Sequence, residues 1–248
     1  MRLSSHCYAV TGLAYSPPWY VNAGFIAGDH TTLIADTGGN AAAAATIHGY
    51  ATAVRPSNRI IALDLEKHFD HIGGNSYFHQ RGIDVYGHAG IERTAAEFQA
   101  EIDAFNAVIP DAARRAQREA EVFFADTQLI NPNCAIAADT RIDLGGCEAE
   151  ILLTPGHTPT NISVWVPSDR VLFSADCLIA GYLPNLDAGS PDDWRIWLQS
   201  LDRIAALAPR IVVPGHGHVA TWDEVPRMIA SLRALLERAI ESGTSPTR

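Results

Sequence analysis

The sequence predicts an α/β fold, in which short apolar strands and amphipathic helices alternate unevenly along one chain. The composition supports a globular protein, because 47% of the 248 residues are hydrophobic and 19% are charged. Short β-branched stretches recur between turn residues, and longer segments repeat apolar residues at helical spacing. Because this length fits one large α/β domain at least as well as two small ones, we expect residues 1–248 to form a single domain.

The N-terminal part predicts a hairpin, a helix and two strands. Two apolar segments flank Gly28-Asp29, which indicates a hairpin. An alanine-rich stretch from about Asn40 to Val54 predicts a helix, and residues 58–65 predict a buried strand. A further strand is expected at about 83–86.

The remaining elements follow from the same periodicities. Apolar positions on either side of Pro110 predict two helices within residues 91–122, which we interpret as a candidate lid. The polar connection at 125–140 is predicted to be a loop and is the best candidate for a mobile flap. Strands are then expected at 148–153, 161–166, 170–175 and 210–213, with amphipathic helices at 192–206 and 222–240.

Charge and composition exclude several classes of partner. A formal net charge of −10 is unfavourable for binding a phosphate backbone, so we expect no nucleic-acid partner. No apolar run approaches the length of a membrane span, and the N-terminal segment lacks the apolar core of a signal peptide, so we expect a cytoplasmic protein without membrane contact. The four cysteines form no Cys-x-x-Cys pair and are interpreted as free thiols.

Four potential metal ligands lie within six residues, directly after the predicted strand at 58–65: Glu66, His68, Asp70 and His71. In an extended chain, residues 66, 68 and 70 point to one side, and His71 joins them only if the backbone changes direction. The following Ile72-Gly-Gly-Asn segment permits such a turn. A cluster of this kind at the end of a buried strand favours a metal site over a solvated polar loop.

Three further candidates follow in turn and strand-end contexts, namely His157 in Thr154-Pro-Gly-His-Thr-Pro, Asp176 in Phe173-Ser-Ala-Asp and His216 in Pro214-Gly-His-Gly. Together with the 66–71 cluster and the early turn Asp36-Thr-Gly, they come in the order of the metal motifs of the metallo-β-lactamase superfamily. The chain resembles that family from about residue 20 to residue 220.

The resemblance implies a four-layer αββα sandwich with two divalent metal ions at one edge of its sheets. It assigns His68 and His157 to the first metal and Asp70, His71 and His216 to the second, with Asp176 bridging both. The chain departs from the family pattern at Glu66, where the family usually has His. Glu66 is then either a direct ligand or a hydrogen-bond acceptor for a ligand histidine or a metal-bound water.

The metal expected first is zinc, because Glu66, His68 and His157 would form a His₂Glu set. The extra carboxylate leaves iron or manganese open.

The implied activity is metal-assisted hydrolysis, in which two cations lower the pKa of a bound water and polarise the bond that it attacks. We expect Asp70 to orient that water and to pass a proton to the leaving group, besides binding metal. A small neutral or weakly polar ester, lactone, thioester or amide is the expected substrate, with β-lactams included. Two alternatives remain open, a diiron oxidoreductase of the flavodiiron or persulfide-dioxygenase kind and a non-catalytic binding module.

Weaker candidates surround these motifs. Cys177 is expected to be a buried thiol, because adjacent residues of a strand face opposite ways. His88 and His218 are candidates for the rim of the site or for the surface. For a third set of residues two explanations stay open, an apolar wall of the substrate site and packing in the core: Tyr182, Leu183, Trp194 and Trp197. The remaining histidines are interpreted as structural or exposed, namely His6, His30, His48 and His79. The apolar helices leave room for a homodimer.

Overall fold

The computed structural model describes residues 1–13, 21–108, 127–181, 183–186 and 189–245. These residues form two six-stranded sheets that face each other. In the first sheet the strands lie side by side in chain order: β1 (Cys7–Val10), β2 (Ala23–Ala27), β3 (Thr31–Ala35), β4 (Arg59–Asp64), β5 (Val85–His88) and β6 (Cys134–Ile136). The β1–β2 and β2–β3 pairs are antiparallel, and the pairs from β3 to β6 are parallel.

The second sheet has the order β12-β11-β10-β9-β8-β7. Its strands are β7 (Thr140–Asp143), β8 (Glu148–Leu153), β9 (Ile162–Val166), β10 (Val171–Ile179), β11 (Ile211–His216) and β12 (Ala220–Thr221). All neighbours are antiparallel except β10 and β11, which run parallel. The carboxyl ends of β10 and β11 therefore meet at one edge of the sheet.

Six helices accompany the sheets in the described residues: α1 (Ala41–Val54), α2 (Phe69–Ile72), α3 (Asn75–His79), α4 (Ala95–Val108), α5 (Pro191–Leu207) and α6 (Glu224–Ser242). The start of α1 is fixed by Asn40, whose side chain accepts a hydrogen bond from the amide of Ala43. At the start of α5, Ser190 and Asp193 form a capping box and Pro191 takes the first helical position.

Three hydrophobic clusters define the layers. The cluster between the sheets joins residues of both, such as Leu33 of the first sheet and Val164 of the second. A second cluster joins α1 and α3 to the outer face of the first sheet, and a third joins α5 and α6 to the outer face of the second. This arrangement confirms the predicted αββα sandwich.

Most predicted elements are confirmed, including the hairpin at Gly28-Asp29 and the helix from Asn40 to Val54. The prediction of a loop at 125–140 was wrong for β6 and the first residue of β7, which lie within it, whereas residues 127–133 and 137–139 form no helix or strand. β6 has only three residues, too few to show a period, and it is specified by its parallel pairing with β5. Residues 125 and 126, and the second helix predicted beyond Pro110, lie outside the described residues.

The described helices contain no segment long and apolar enough to cross a membrane. All four cysteines are free thiols, of which Cys134 is half-buried and the others are buried.

Candidate metal centre

The first motif, residues 66–71, begins in the connection between β4 and α2 and ends within α2. Glu66 is fully buried just after the strand, and His68 is the residue that precedes the first turn of α2. The backbone therefore changes direction at His68, before Gly73 and Gly74, and residues 66–70 do not form one extended face as the sequence predicted. Asp70 and His71 reach the site from a helical turn.

Two glycines that follow this motif, Gly73 and Gly74, allow α2 to lie close to the backbone of the loop after β3. A Cβ on Gly73 would overlap the carbonyl oxygen of Gly39, and a Cβ on Gly74 would overlap that of Thr37. Their absence of side chains lets α2 pack against the loop that follows β3, which places His71 beside that loop.

The other three candidates come from the second sheet and its connections. His157 lies between β8 and β9, Asp176 lies within β10, and His216 is the last residue of β11. The register of β10 against β11 shifts after Phe173, and Ala175 has a φ of +42°. This bulge sets the direction in which the Asp176 side chain points.

The structure brings all seven predicted ligands together in two groups. Within each group the ligand atoms lie within 4.8 Å of one another, and the groups are Glu66, His68, His157 and Asp176 in one and Asp70, His71 and His216 in the other. Asp176 joins them, because its Oδ2 lies 3.4 Å from both His157 Nε2 and His216 Nε2. Its Oδ1 lies 3.4 Å from His71 Nε2. The residues that the resemblance assigned to each metal thus lie together, and their binding of metal stays a prediction.

The polar atoms at the centre of these groups fit a bound cation. Glu66 Oε2, His71 Nε2 and Asp176 Oδ1 are buried, and no described residue forms a hydrogen bond with them. Buried polar atoms are normally paired, and buried carboxylates need a compensating positive charge. Imidazole nitrogens and carboxylate oxygens are the donors that zinc and iron accept.

The pKa values of the candidate ligands also indicate a site that suits a cation. Burial lowers the pKa of His68 and His216, but neighbouring carboxylates outweigh it, so the pKa of His68 rises to about 9 and that of His216 to about 10. The principal partners are Glu66 for His68 and Asp176 for His216. Burial raises the pKa of Asp176, yet His216 and His71 hold it well below its usual value. The cluster is therefore built to surround positive charge.

Glu66 lies inside the first group. Its Oε1 is 2.5 Å from His68 Nδ1 and accepts a hydrogen bond of 3.0 Å from the His68 amide. Both roles considered for Glu66 are compatible with this position, since one carboxylate oxygen contacts a candidate ligand and the other has no hydrogen-bond partner among the described residues.

Two residues behind the motif were not identified from the sequence as parts of the site. Asp36 Oδ2 lies 2.8 Å from His71 Nδ1, and its Oδ1 accepts a hydrogen bond of 2.8 Å from the Leu65 amide. The Asp36-Thr-Gly turn was the available signal, but it did not reveal this contact. Glu101 of α4 lies 3.6 Å from His68 Nε2, and no local pattern distinguishes it from other helical glutamates.

The weaker candidates lie outside both groups. Cys177 is buried in the core between β10 and α5, where its carbonyl accepts a hydrogen bond from Trp197. Trp194 and Trp197 are also buried there, and the ring of Trp197 in addition meets the ring of His157 edge to face, with centroids 5.8 Å apart. Leu183 is exposed, and Tyr182 lies outside the described residues.

The weaker histidine candidates have local partners. His218 is exposed and lies 4.0 Å from Glu224, whereas half-buried His88 accepts a hydrogen bond from the Gly90 amide.

Comparisons with known proteins agree with this architecture. The family model described as Metallo-beta-lactamase superfamily matches residues 67–216. A hydroxyacylglutathione hydrolase of Ruegeria pomeroyi is 36% identical over 94 residues, which cover 37% of this chain and 36% of the relative. The chain thus spans about a third of that relative's length. A type 2 metallo-beta-lactamase of Bacteroides fragilis is 24% identical over an alignment that covers 99% of this chain and 88% of the relative.

Solved structures show the same fold. A metallo-beta-lactamase family protein from Thermus thermophilus superposes with a TM-score of 0.71 at 21% identity and covers 97% of this chain and 82% of its own. A metallo-beta-lactamase from Pontibacter korlensis gives a TM-score of 0.67 at 18% identity, with 96% and 97% coverage.

Proposed function

The chain belongs to the metallo-β-lactamase superfamily, and from that premise we propose that it is a hydrolase that depends on two divalent metal ions. One observation carries the proposal. Ligand side chains from four separate segments converge on two adjacent groups that share Asp176, and the buried atoms at their centre have no hydrogen-bond partner among the described residues. The named relatives act as hydrolases by their descriptions, which supports hydrolysis over redox chemistry.

The first metal would be held by Glu66, His68 and His157, the second by Asp70, His71 and His216, and both by Asp176. Two cations in such a site supply an acidified water and polarise the carbonyl that it attacks. Zinc is the metal proposed first, with iron or manganese as the alternatives that Glu66 leaves open.

Asp70 is the proposed catalytic residue among the ligands. Its side chain is 22% exposed, whereas that of His71 is fully buried, so Asp70 stands on the open side of the site. Burial raises its pKa, but His71 and His216 outweigh burial and lower it. The carboxylate is therefore ionised at neutral pH, accepts a proton from the attacking water and passes it to the leaving group.

A small neutral or weakly polar ester, lactone, thioester or amide is the proposed substrate class. The formal net charge of −10 disfavours a polyanionic substrate. The similarity to a hydroxyacylglutathione hydrolase puts thioesters on the panel, and the similarity to a type 2 metallo-beta-lactamase puts β-lactams there.

Metal analysis combined with a substrate panel tests the proposal. Untagged protein purified without chelators is analysed for metal identity and stoichiometry and then assayed on acyl esters, lactones, acylglutathione thioesters and β-lactams. Two zinc ions per chain and hydrolysis of at least one class, abolished by a chelator and restored by zinc, are the expected results. Two iron ions without hydrolysis would instead support the diiron oxidoreductase, and a protein that binds no metal would contradict both.

A further inference from the structure

The ion pair between Arg93 and Glu101 lies outside the two ligand groups and forms hydrogen bonds with the backbone of the first metal motif, residues 66–71. Arg93 Nη1 donates to Glu101 Oε2 at 2.6 Å and to the carbonyl oxygen of Lys67 at 2.8 Å. The same Glu101 oxygen accepts a hydrogen bond of 3.3 Å from the amide of Phe69. The pair is largely shielded from solvent, with side-chain exposures of 12% for Arg93 and 24% for Glu101. It therefore holds the residues on both sides of His68.

His68 itself faces the other oxygen of Glu101. Its Nε2 lies 3.6 Å from Glu101 Oε1, while its Nδ1 lies 2.5 Å from Glu66 Oε1. The two ring nitrogens thus point to different carboxylates, and Nδ1 is the one directed at the ligand group. An imidazole that ligates through one nitrogen carries its proton on the other, and a carboxylate that accepts from that proton fixes the ring orientation.

Hydrophobic packing places Glu101 at this position. Phe69 and Ile72 of α2 form a small cluster with Phe98 and Ile102 of α4. The rings of Phe69 and Phe98 meet edge to face, with centroids 6.4 Å apart. Glu101 lies between the two apolar residues of α4 in sequence, so the contact that buries Phe98 and Ile102 also turns Glu101 toward the motif.

Arg93 is itself held from a third segment. Its amide donates to Asn131 Oδ1 at 3.0 Å, and Asn131 Nδ2 donates back to the Arg93 carbonyl at 3.0 Å. Glu101, Arg93 and Asn131 therefore link α4, the loop after β5 and the chain before β6 to the metal motif.

We propose that Glu101 is a positioning residue of the metal centre, which holds His68 with Nδ1 directed at the first ligand group and Nε2–H directed at itself. The inference rests on the proposed metal site but not on the reaction performed there. It assigns α4 a structural task at the first metal, and the lid expected within residues 91–122 stays a prediction.

Zinc affinity measured without substrate tests the proposal. The purified protein is stripped of metal and titrated with zinc against a chromogenic chelator, for the wild type and for Glu101→Ala, Glu101→Gln and Asp103→Asn. The last variant removes a carboxylate from an exposed position of the same helix, which makes it the matched control. Glu101→Gln retains one oxygen that can accept from Nε2–H, but its amide nitrogen cannot accept from Arg93 and the Phe69 amide as Oε2 does.

We expect Glu101→Ala to weaken one of the two zinc sites by roughly 10–100-fold and Glu101→Gln to weaken the same site by less, whereas Asp103→Asn stays within about threefold of the wild type. In the zinc-loaded protein, nitrogen-15 NMR of the histidine rings should show a protonated Nε2 on His68, and exchange of that proton with water should accelerate in Glu101→Ala. Thermal unfolding of the metal-free variants separates this effect from a general loss of stability.

The outcomes distinguish the two proposals. A Glu101→Ala variant that loses stability but binds both zinc ions as the wild type does would overturn the positioning role. A wild type that binds two zinc ions and loses one in Glu101→Ala, yet hydrolyses nothing on the panel, would support the positioning role and contradict the proposed function.

Discussion

The carboxylate of Asp36 lies 2.8 Å from Nδ1 of His71, a member of the second ligand group, and both side chains are buried. Because Nδ1 is engaged in this way, Nε2 of the same ring is left to face Asp176 at 3.4 Å. Asp36 sits at a φ of +67°, a conformation that Asp and Asn tolerate better than other residues with a side chain. The turn after β3 is therefore part of the candidate metal centre.

Substitution Asp36→Asn should weaken the zinc site formed by Asp70, His71 and His216 by roughly 10–100-fold. Asn keeps the shape and tolerates the backbone conformation, but it removes the charge that orients His71. Chelator competition measures the effect, with Asp84→Asn, at an exposed ion pair with Arg59, as the control. Equal zinc affinity in the two variants would show that Asp36 does not act on the metal.

Substitution Asp70→Ala should lower kcat by at least roughly 100-fold on whichever substrate the wild type hydrolyses, because it removes both a ligand and the proposed proton acceptor. Steady-state kinetics at saturating zinc measures the loss. Turnover equal to that of the wild type would contradict the proposed mechanism. Far-UV circular dichroism of the variant checks that the fold is retained.

Substitution Glu66→Gln tests whether the carboxylate charge matters at the first group. Glu66 is fully buried and raises the pKa of His68 against the effect of burial. We expect zinc affinity at one site to fall by roughly 10–100-fold, since the variant keeps the size of the side chain but not its charge. Two zinc ions bound with unchanged affinity would rule out the charge of Glu66 as a determinant of binding.

Substitution Gly215→Ala should destabilise the protein by about 1–3 kcal/mol, because the added Cβ would overlap Asp176 Oδ1 and lie 2.8 Å from the carbonyl carbon of Ala175. It should also weaken zinc binding, since Asp176 must move. Gly49→Ala is the matched control, because Gly49 is exposed within α1 and has open space around it. That variant should gain about 0.5–1 kcal/mol in urea denaturation.

Asp169 provides a prediction about pH away from the metal centre. Burial raises its pKa, but hydrogen bonds from Ser4 and His6 outweigh burial and lower the pKa to about 2. A carboxylate with a lowered pKa stabilises the fold above its unfolded pKa of about 3.9, and the contribution disappears as the pH falls toward 2.

Substitution Asp169→Asn should therefore lower the free energy of unfolding by about 2 kcal/mol at pH 7, and the difference from the wild type should shrink below about pH 4. Urea denaturation at several pH values measures it. Asp192→Asn, at an exposed ion pair with Arg195, should change stability by less than about 1 kcal/mol at every pH. A difference for Asp169→Asn that grows on acidification would contradict the assigned sign.

The sequence by itself predicted the candidate ligand residues and determined the order of most elements. Closely spaced His, Asp and Glu residues after a buried strand indicate a metal site, and periods of two and 3.6 residues separate strands from long amphipathic helices such as α5 and α6. These features are local, so the chain displays them without its fold.

Only the tertiary structure decided the rest, because the responsible contacts join residues far apart in the chain. The bend at His68 depends on α2 packing against the loop after β3, and β6 exists because β5 lies beside it. The contacts of Asp36 with His71 and of Glu101 with His68 likewise join residues that lie tens of positions apart in the sequence. Such pairs have no period or spacing, and they arise only when both sheets and α4 have come together.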